Sequence, residues 1–215
     1  MSKNYSALSG AELISGIRKR HRRGVVVCIL LIVFCAGLMI GGLYGAIHEK
    51  SMFIGIAAVA LGGLIAWHSL GEIGRHNKIA AEPENCALFR KYGSPETIAA
   101  RIAEESAEPV LSEKGTLLCR SFIMKQNDFE SYVPLDQALL VYRKEHRTNG
   151  IKDGVYLVVH DVFGEKFEYP FKLRKKFEAD MQAVMADIAN RSPQCAVGYS
   201  QQNLQYAKAQ AKQIP

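Results

Sequence analysis

Two windows without a charged side chain, Gly24 to Ile47 and Ser51 to Gly71, constrain this chain more than any other feature. Each holds about the ~20 residues that a helix needs to cross a hydrocarbon core of ~30 Å. Only His48, Glu49 and Lys50 separate them, so the two predicted helices, about 24–47 and 51–71, form an antiparallel hairpin. A cleavable secretory signal has an apolar core of roughly 7–15 residues followed by a small-residue cleavage site. Here the basic cluster begins late, the apolar run is longer, and a second run follows. The segment reads as a retained anchor.

Charge orients the hairpin. Arg18, Lys19, Arg20, Arg22 and Arg23 precede the first window, Arg75 and Lys78 follow the second, and the loop between offers only Lys50. By the positive-inside rule both termini are expected in the cytoplasm, with residues 1–23 as a basic cytoplasmic segment. Spans of this length suit several membranes and single out none. The chain's excess of 27 Lys+Arg over 21 Asp+Glu lies wholly in its first part: residues 1–81 hold 9 against 3, and residues 82–215 hold 18 against 18. A nucleic-acid-binding domain needs its basic excess on the folded part, so no nucleic-acid partner is expected. The cluster Arg18–Arg23 has two readings, a topology signal or a contact for anionic lipid, where each cation near the leaflet gains roughly 1 kcal/mol. Both can hold at once.

Gly37, Gly41 and Gly45 form a small-x-x-x-small series on the first helix, and Ala58, Gly62 and Ala66 repeat the spacing on the second. Such faces let backbones approach closely where lipid offers no hydrophobic drive. They are expected to meet within one hairpin, or else to join a second copy or another membrane protein. No Asp, Glu, Lys or Arg lies within either window, so the usual marks of an ion pathway are missing. Trp67, His68 and Tyr44 suit the interfacial belt. Cys28 and Cys35 fall in the first helix, while Cys86, Cys119 and Cys195 are expected in a reducing cytosol, without a C-x-x-C pair or a disulfide.

After a polar exit, Glu72 to Glu84, a domain is expected over 82–190. Ser94 caps and Pro95 opens a helix of about 95–107, which Pro109 stops. "TLLCRSFIMK", "ESYVPLDQALLVYRKEH", "GVYLVVHDV" and "EKFEYPFK" read as five or six antiparallel strands, with turn signals at Asn149-Gly150, Asp153-Gly154 and Gly164-Glu165. Phe177, Met181, Val184, Met185 and Ile188 then mark one stripe of a closing helix. Residues 191–215 are a tail with room for a short helix. The predicted class is thus an α+β membrane protein: a two-helix transmembrane hairpin, then a small, curved antiparallel sheet or barrel capped by a C-terminal helix.

From about 109 to 190 the chain resembles the PH-like domains of small membrane proteins in which a transmembrane hairpin precedes a cytoplasmic module. The carrying residues are "ESYVPLDQALLVYRKEH", with Pro134, Leu135 and Asp136 at the turn, "GVYLVVHDVFGEKFEYPF" and the closing helix; "RSPQCAVGYSQQN" is similar to the tail of such proteins. The resemblance implies a small barrel that binds a protein or a lipid headgroup. Lipid-binding members carry basic residues in their first hairpin loop, whereas "KQNDFE" offers Lys125 beside Asp128 and Glu130. That departure argues against headgroup recognition at the barrel mouth.

Motifs for chemistry are missing: there is no H-E-x-x-H, phosphate loop, G-x-S-x-G or dinucleotide fingerprint, and neither a cofactor nor a catalytic role is expected. Cys119 and His160 are the one pair of strand residues able to suggest a membrane-tethered enzyme, by approach across the sheet. Lys172, Arg174, Lys175 and Lys176 open the closing helix, where the helix dipole favours acids, and so join Arg18–Arg23 as candidate contacts for an anionic surface or partner. "RKEHR", Arg143 to Arg147, is a third basic stretch, interrupted by Glu145. The function expected is a non-enzymatic membrane protein that presents a binding module at the cytoplasmic surface for a protein or anionic lipid. The alternative is an accessory subunit assembled through the glycine face.

Overall fold

A computed structural model describes residues 5–48, 52–171 and 177–211. They divide into two compact units: Ile14–Cys86, and the residues before Ile14 together with those from Ala87 onward.

The first unit is helical. α1 runs Gly10–His48 and α2 runs Met52–Ala81, and both contain stretches long and apolar enough to cross a membrane. Each helix exceeds its charge-free window. Ser9 and Glu12 form a capping box at the start of α1: the Glu12 N–H donates to Ser9 Oγ (3.2 Å) and the Ser9 N–H to Glu12 Oε2 (2.9 Å). Arginine and lysine are good helix formers, so the basic cluster is helical. The expected polar exit from Glu72 is likewise helix as far as Ala81, and ends in a 3-10 turn at Pro83–Asn85.

The seam between the helices differs from the expected one. A Cβ on Gly42 would lie 2.6 Å from that of Ala58, one on Gly55 2.4 Å from that of Ala46, and one on Gly62 2.7 Å from Met39 Cγ and 3.3 Å from the Cys35 carbonyl. A Cβ on Gly37, Gly41 or Gly45 would have no atom within 4 Å among the described residues beyond its own helix backbone. The contact line is therefore Cys35, Met39, Gly42 and Ala46 against Gly55, Ala58 and Gly62. A strict four-residue step drifts about 40° round a helix each time, whereas 4-3-4 spacing holds its line along a neighbour. Ala58 and Gly62 keep their expected role, but the first helix presents another face. Ala66 is half-buried.

The second unit combines α and β. α3 (Ala87–Tyr92) and α4 (Pro95–Glu105) precede the strands, and the Ser94 side chain accepts the Thr97 N–H at the start of α4. β1 (Leu111–Glu113), β2 (Thr116–Leu118), β3 (Phe122–Lys125) and β4 (Asp128–Pro134) form one antiparallel meander. β5 (Ala138–Thr148), β6 (Ile151–Asp161) and β7 (Lys166–Phe171) form a second. α5 (Phe177–Arg191) follows; then β8 (Ala196–Val197) adds to β5 in parallel, and α6 (Gln201–Gln210) closes the described chain. One core joins both sheets to α5: Leu118, Ile123 and Val133, then Val141, Leu157, Val159, Tyr169 and Phe171, then Met181, Met185 and Ile188. Burying each such side chain contributes roughly 1.5–3 kcal/mol. A smaller cluster, including Leu140, Tyr142, Val158 and Ala207, covers the outer face of the second sheet.

Turn chemistry is correct at two of the three expected places. Asn149 (φ 51°) and Gly150 (φ 80°) make the β5–β6 turn, and Gly164 (φ 78°) lies between β6 and β7. Asp153-Gly154 is no turn but part of β6, where the register shifts between the pairs His146↔Gly154 and Arg147↔Lys152. Asp153 is the extra residue of that bulge.

Candidate anion-binding helix face

The arginines and lysine of Arg18–Arg23 do not act as one cluster, because helical geometry sorts them. Ser15, Arg18, Lys19, Arg22, Arg23 and Val26 line a shallow cleft of about 440 Å³ along one side of α1, at the spacing that puts residues three, four and seven apart on one face. The Arg18 Nε donates to the Ala80 carbonyl (3.2 Å), in the last turn of α2. Lys19, Arg22 and Arg23 have no hydrogen-bond or carboxylate partner among the described residues. Of the acids within α1 and α2, Glu12 caps Ser9 and Glu72 holds Arg75 at 2.6 Å. Arg20 is not on this stripe and has a partner of its own.

The opposite side of α1 explains why the stripe faces outward. His21 is 5% exposed, and its Nδ1 lies 2.7 Å from Nδ1 of His76 on α2. Gly24 makes room for that imidazole, since a Cβ there would lie 2.7 Å from His76 Nε2. The histidine pair and the glycine fix the rotation of α1. The free cations are left on a face that ends against the apolar run at Val26.

The other sequence candidates fare differently. Lys172, Arg174, Lys175 and Lys176 lie outside the described residues. Cys119 follows β2 in the first sheet, and its thiol donates to the Glu105 carbonyl (3.6 Å). Burial, with Glu105 adding, pushes that thiol up to about 12, so it stays protonated at neutral pH. His160 is on β6 of the second sheet, stacked on Tyr142 at 5.9 Å between ring centroids. Burial, with Lys166 adding, lowers its pKa. The two residues belong to different sheets, which removes the expected approach across one sheet.

A second cleft, of about 500 Å³, lies where α4, the β2–β3 turn and the end of α5 meet. Glu105 accepts from the Ser121 N–H (2.8 Å) and hydroxyl (2.5 Å), and Arg191 is held by Asp187 at 2.7 Å while donating to the Arg120 carbonyl. These charges tie three elements together. Only the i, i+4 pair Asp187–Arg191 leaves a trace in the sequence. Likewise, Asp161 is fully buried and accepts from Tyr92 (2.5 Å) and from the Phe163 and Glu165 N–H groups (3.0 and 2.7 Å), closing the β6–β7 turn onto α3. Comparison with known protein families, with characterised proteins and with solved structures finds no match to this chain.

Proposed function

We propose that this chain is a two-span membrane protein with both termini in the cytoplasm, whose α1 face binds anionic lipid headgroups while its sheet unit serves as a PH-like binding module. The observation that carries the reading is the stripe of Lys19, Arg22 and Arg23, unpaired among the described residues and directly followed by apolar surface. Guanidinium groups match phosphate oxygens in a bidentate fork, and a helix crossing into lipid holds them at headgroup depth. A four-strand meander, a three-strand meander and then a helix is the element order of PH-like modules, which supports that part of the reading. No catalytic step is assigned, in keeping with the protonated thiol of Cys119.

The test is lipid retention by the full chain purified from membranes containing anionic phospholipid. Changing Lys19, Arg22 and Arg23 to Gln should lower co-purified anionic lipid by about fivefold per cation, following roughly 1 kcal/mol each. Neutral lipid should be unaffected. Equal anionic lipid on the triple variant would leave the cluster as a topology signal alone. A second reading has its own observation, the open face at Gly37, Gly41 and Gly45. Association of two copies there should be lost in Gly41→Leu and kept in the wild type, as read by cross-linking at increasing protein-to-lipid ratio.

A further inference from the structure

Among the described residues the β5–β6 hairpin reaches beyond its neighbouring strands. In the described part, β7 accompanies β6 as far as the pair Val155↔Phe171, and β8 meets β5 at Leu140 and Val141. From His146 to Gly154 the ladder therefore has two strands among the described residues. Such a ribbon is marginal in water on its own, yet this one is braced. The turn at Asn149-Gly150 has both residues at positive φ, the geometry that matches strand twist in a two-residue hairpin. Asp153 pairs with His146 (2.7 Å) and accepts the Thr148 hydroxyl (2.5 Å).

Two features of this arm lie outside both hydrophobic clusters of the sheet unit. Ile151 is the single large apolar side chain between Arg143 and Asp153, and at the tip it is 73% exposed. Behind it, Arg147 and Lys152 stand directly opposite each other, an arrangement of like charges that weakens a strand pair. Both lean on one carboxylate, Glu145, at 3.2 and 2.7 Å, which Arg143 also contacts at 2.6 Å. The cations hold the Glu145 carboxyl down at about 2, the Lys152 contact contributing most. Three cations thus share this one carboxylate.

We propose that the tip of the β5–β6 hairpin docks on an anionic membrane surface, with Ile151 entering the interfacial layer and Arg147 and Lys152 engaging lipid phosphates. The inference rests on the two-span reading, because continuity with membrane helices supplies the effective concentration that makes so small a contact useful. A nucleic-acid backbone is the less favoured partner, since residues 82–215 balance 18 cations with 18 acids and a phosphate backbone has no use for the isoleucine.

The test uses the full chain in nanodiscs, with Trp67→Phe removing the one native tryptophan and Ile151→Trp placing a reporter indole at the tip. Brominated acyl chains should quench the reporter in discs containing phosphatidylserine and leave it bright in pure phosphatidylcholine. Arg147→Gln and Lys152→Gln should each reduce the docked-to-free ratio by about fivefold, and high salt should do the same. Ile151→Cys carrying an environment-sensitive fluorophore gives an independent readout, expected to shift blue under the same conditions. Unquenched emission on anionic discs, equal quenching on neutral ones, or a shift only on adding duplex oligonucleotide would overturn the proposal. Changing Lys19, Arg22 and Arg23 to Gln should leave quenching of the tip reporter intact while lowering lipid retention, so the two readings fail separately.

Discussion

The same aliphatic residues are treated in opposite ways by the two units. In α1 and α2, Ile40 is 69% exposed and Leu64 71%, while in the sheets Leu118, Ile123 and Val159 are wholly buried. Polar groups show the reverse contrast. The sheet unit buries Asp161 among three donors, whereas the helical unit leaves Lys19, Arg22 and Arg23 on the outside without a partner among the described residues. One unit is organised around water outside and hydrocarbon inside; the other is suited to hydrocarbon outside, and its interior seam is made of backbone contact at glycine.

The largest effect expected from that contrast comes from the buried carboxylate. Asp161→Ala leaves the Tyr92 hydroxyl and two backbone N–H groups without an acceptor, at a cost of about 3 kcal/mol or more. Hydrogen exchange should accelerate across α3, β6 and β7 and stay unchanged in the apolar parts of α1 and α2. Spread of the effect into those helices would break the separation between units. Next, Gly62→Leu should open the helical seam at a cost of about 1–3 kcal/mol, whereas Gly41→Leu leaves that seam protected. Equal exchange in the two variants would contradict the observed packing face. Ser94→Ala should cost about 1 kcal/mol, seen as faster exchange in the first turn of α4.

The smallest effect is that of His160, whose folded-state pKa lies below its ordinary 6.5. Within the window below 6.5 the unfolded chain binds the proton more readily, so stability falls as pH falls. His160→Gln should flatten the melting temperature of the sheet unit between pH 7.5 and 5.5, and an unchanged slope would assign the loss to other groups.

How far the sequence reaches also differs between the units. Ser94-Pro95 locates the start of α4 because cap and proline act locally, and the stripe Met181, Val184, Met185 and Ile188 is buried or partly buried as its spacing requires; the Phe177 side chain lies outside the described part. Charge-free windows locate the apolar parts of α1 and α2 but not their ends, since lysine and arginine continue a helix without a break. The S-x-x-E box at Ser9 is the local signal that marks the start of α1. Asp153-Gly154 looks like a turn in isolation and becomes a bulge because the neighbouring Asn149-Gly150 turn sets the register. The turns at Lys114-Gly115 and Asn127 are harder to read, and Asn127 is further fixed by its N–H donating to the hydroxyl of Tyr5, a contact 122 residues away in sequence. Which glycines form the seam, and that Arg20 turns away from its basic neighbours, depend on helix rotation. That rotation follows from His21, Gly24 and His76 coming together across two helices, which no local pattern records.

Trp67, the one tryptophan of the chain, is 81% exposed on α2 and gives the most direct measurement. In the unaltered protein reconstituted in nanodiscs, brominated lipids should quench its emission, with the strongest effect from bromines near the headgroup end of the acyl chain, and aqueous iodide should have little access. Full quenching by iodide with none by brominated lipid would contradict a hairpin that lives in the bilayer, and with it the assignment of Lys19, Arg22 and Arg23 to lipid headgroups.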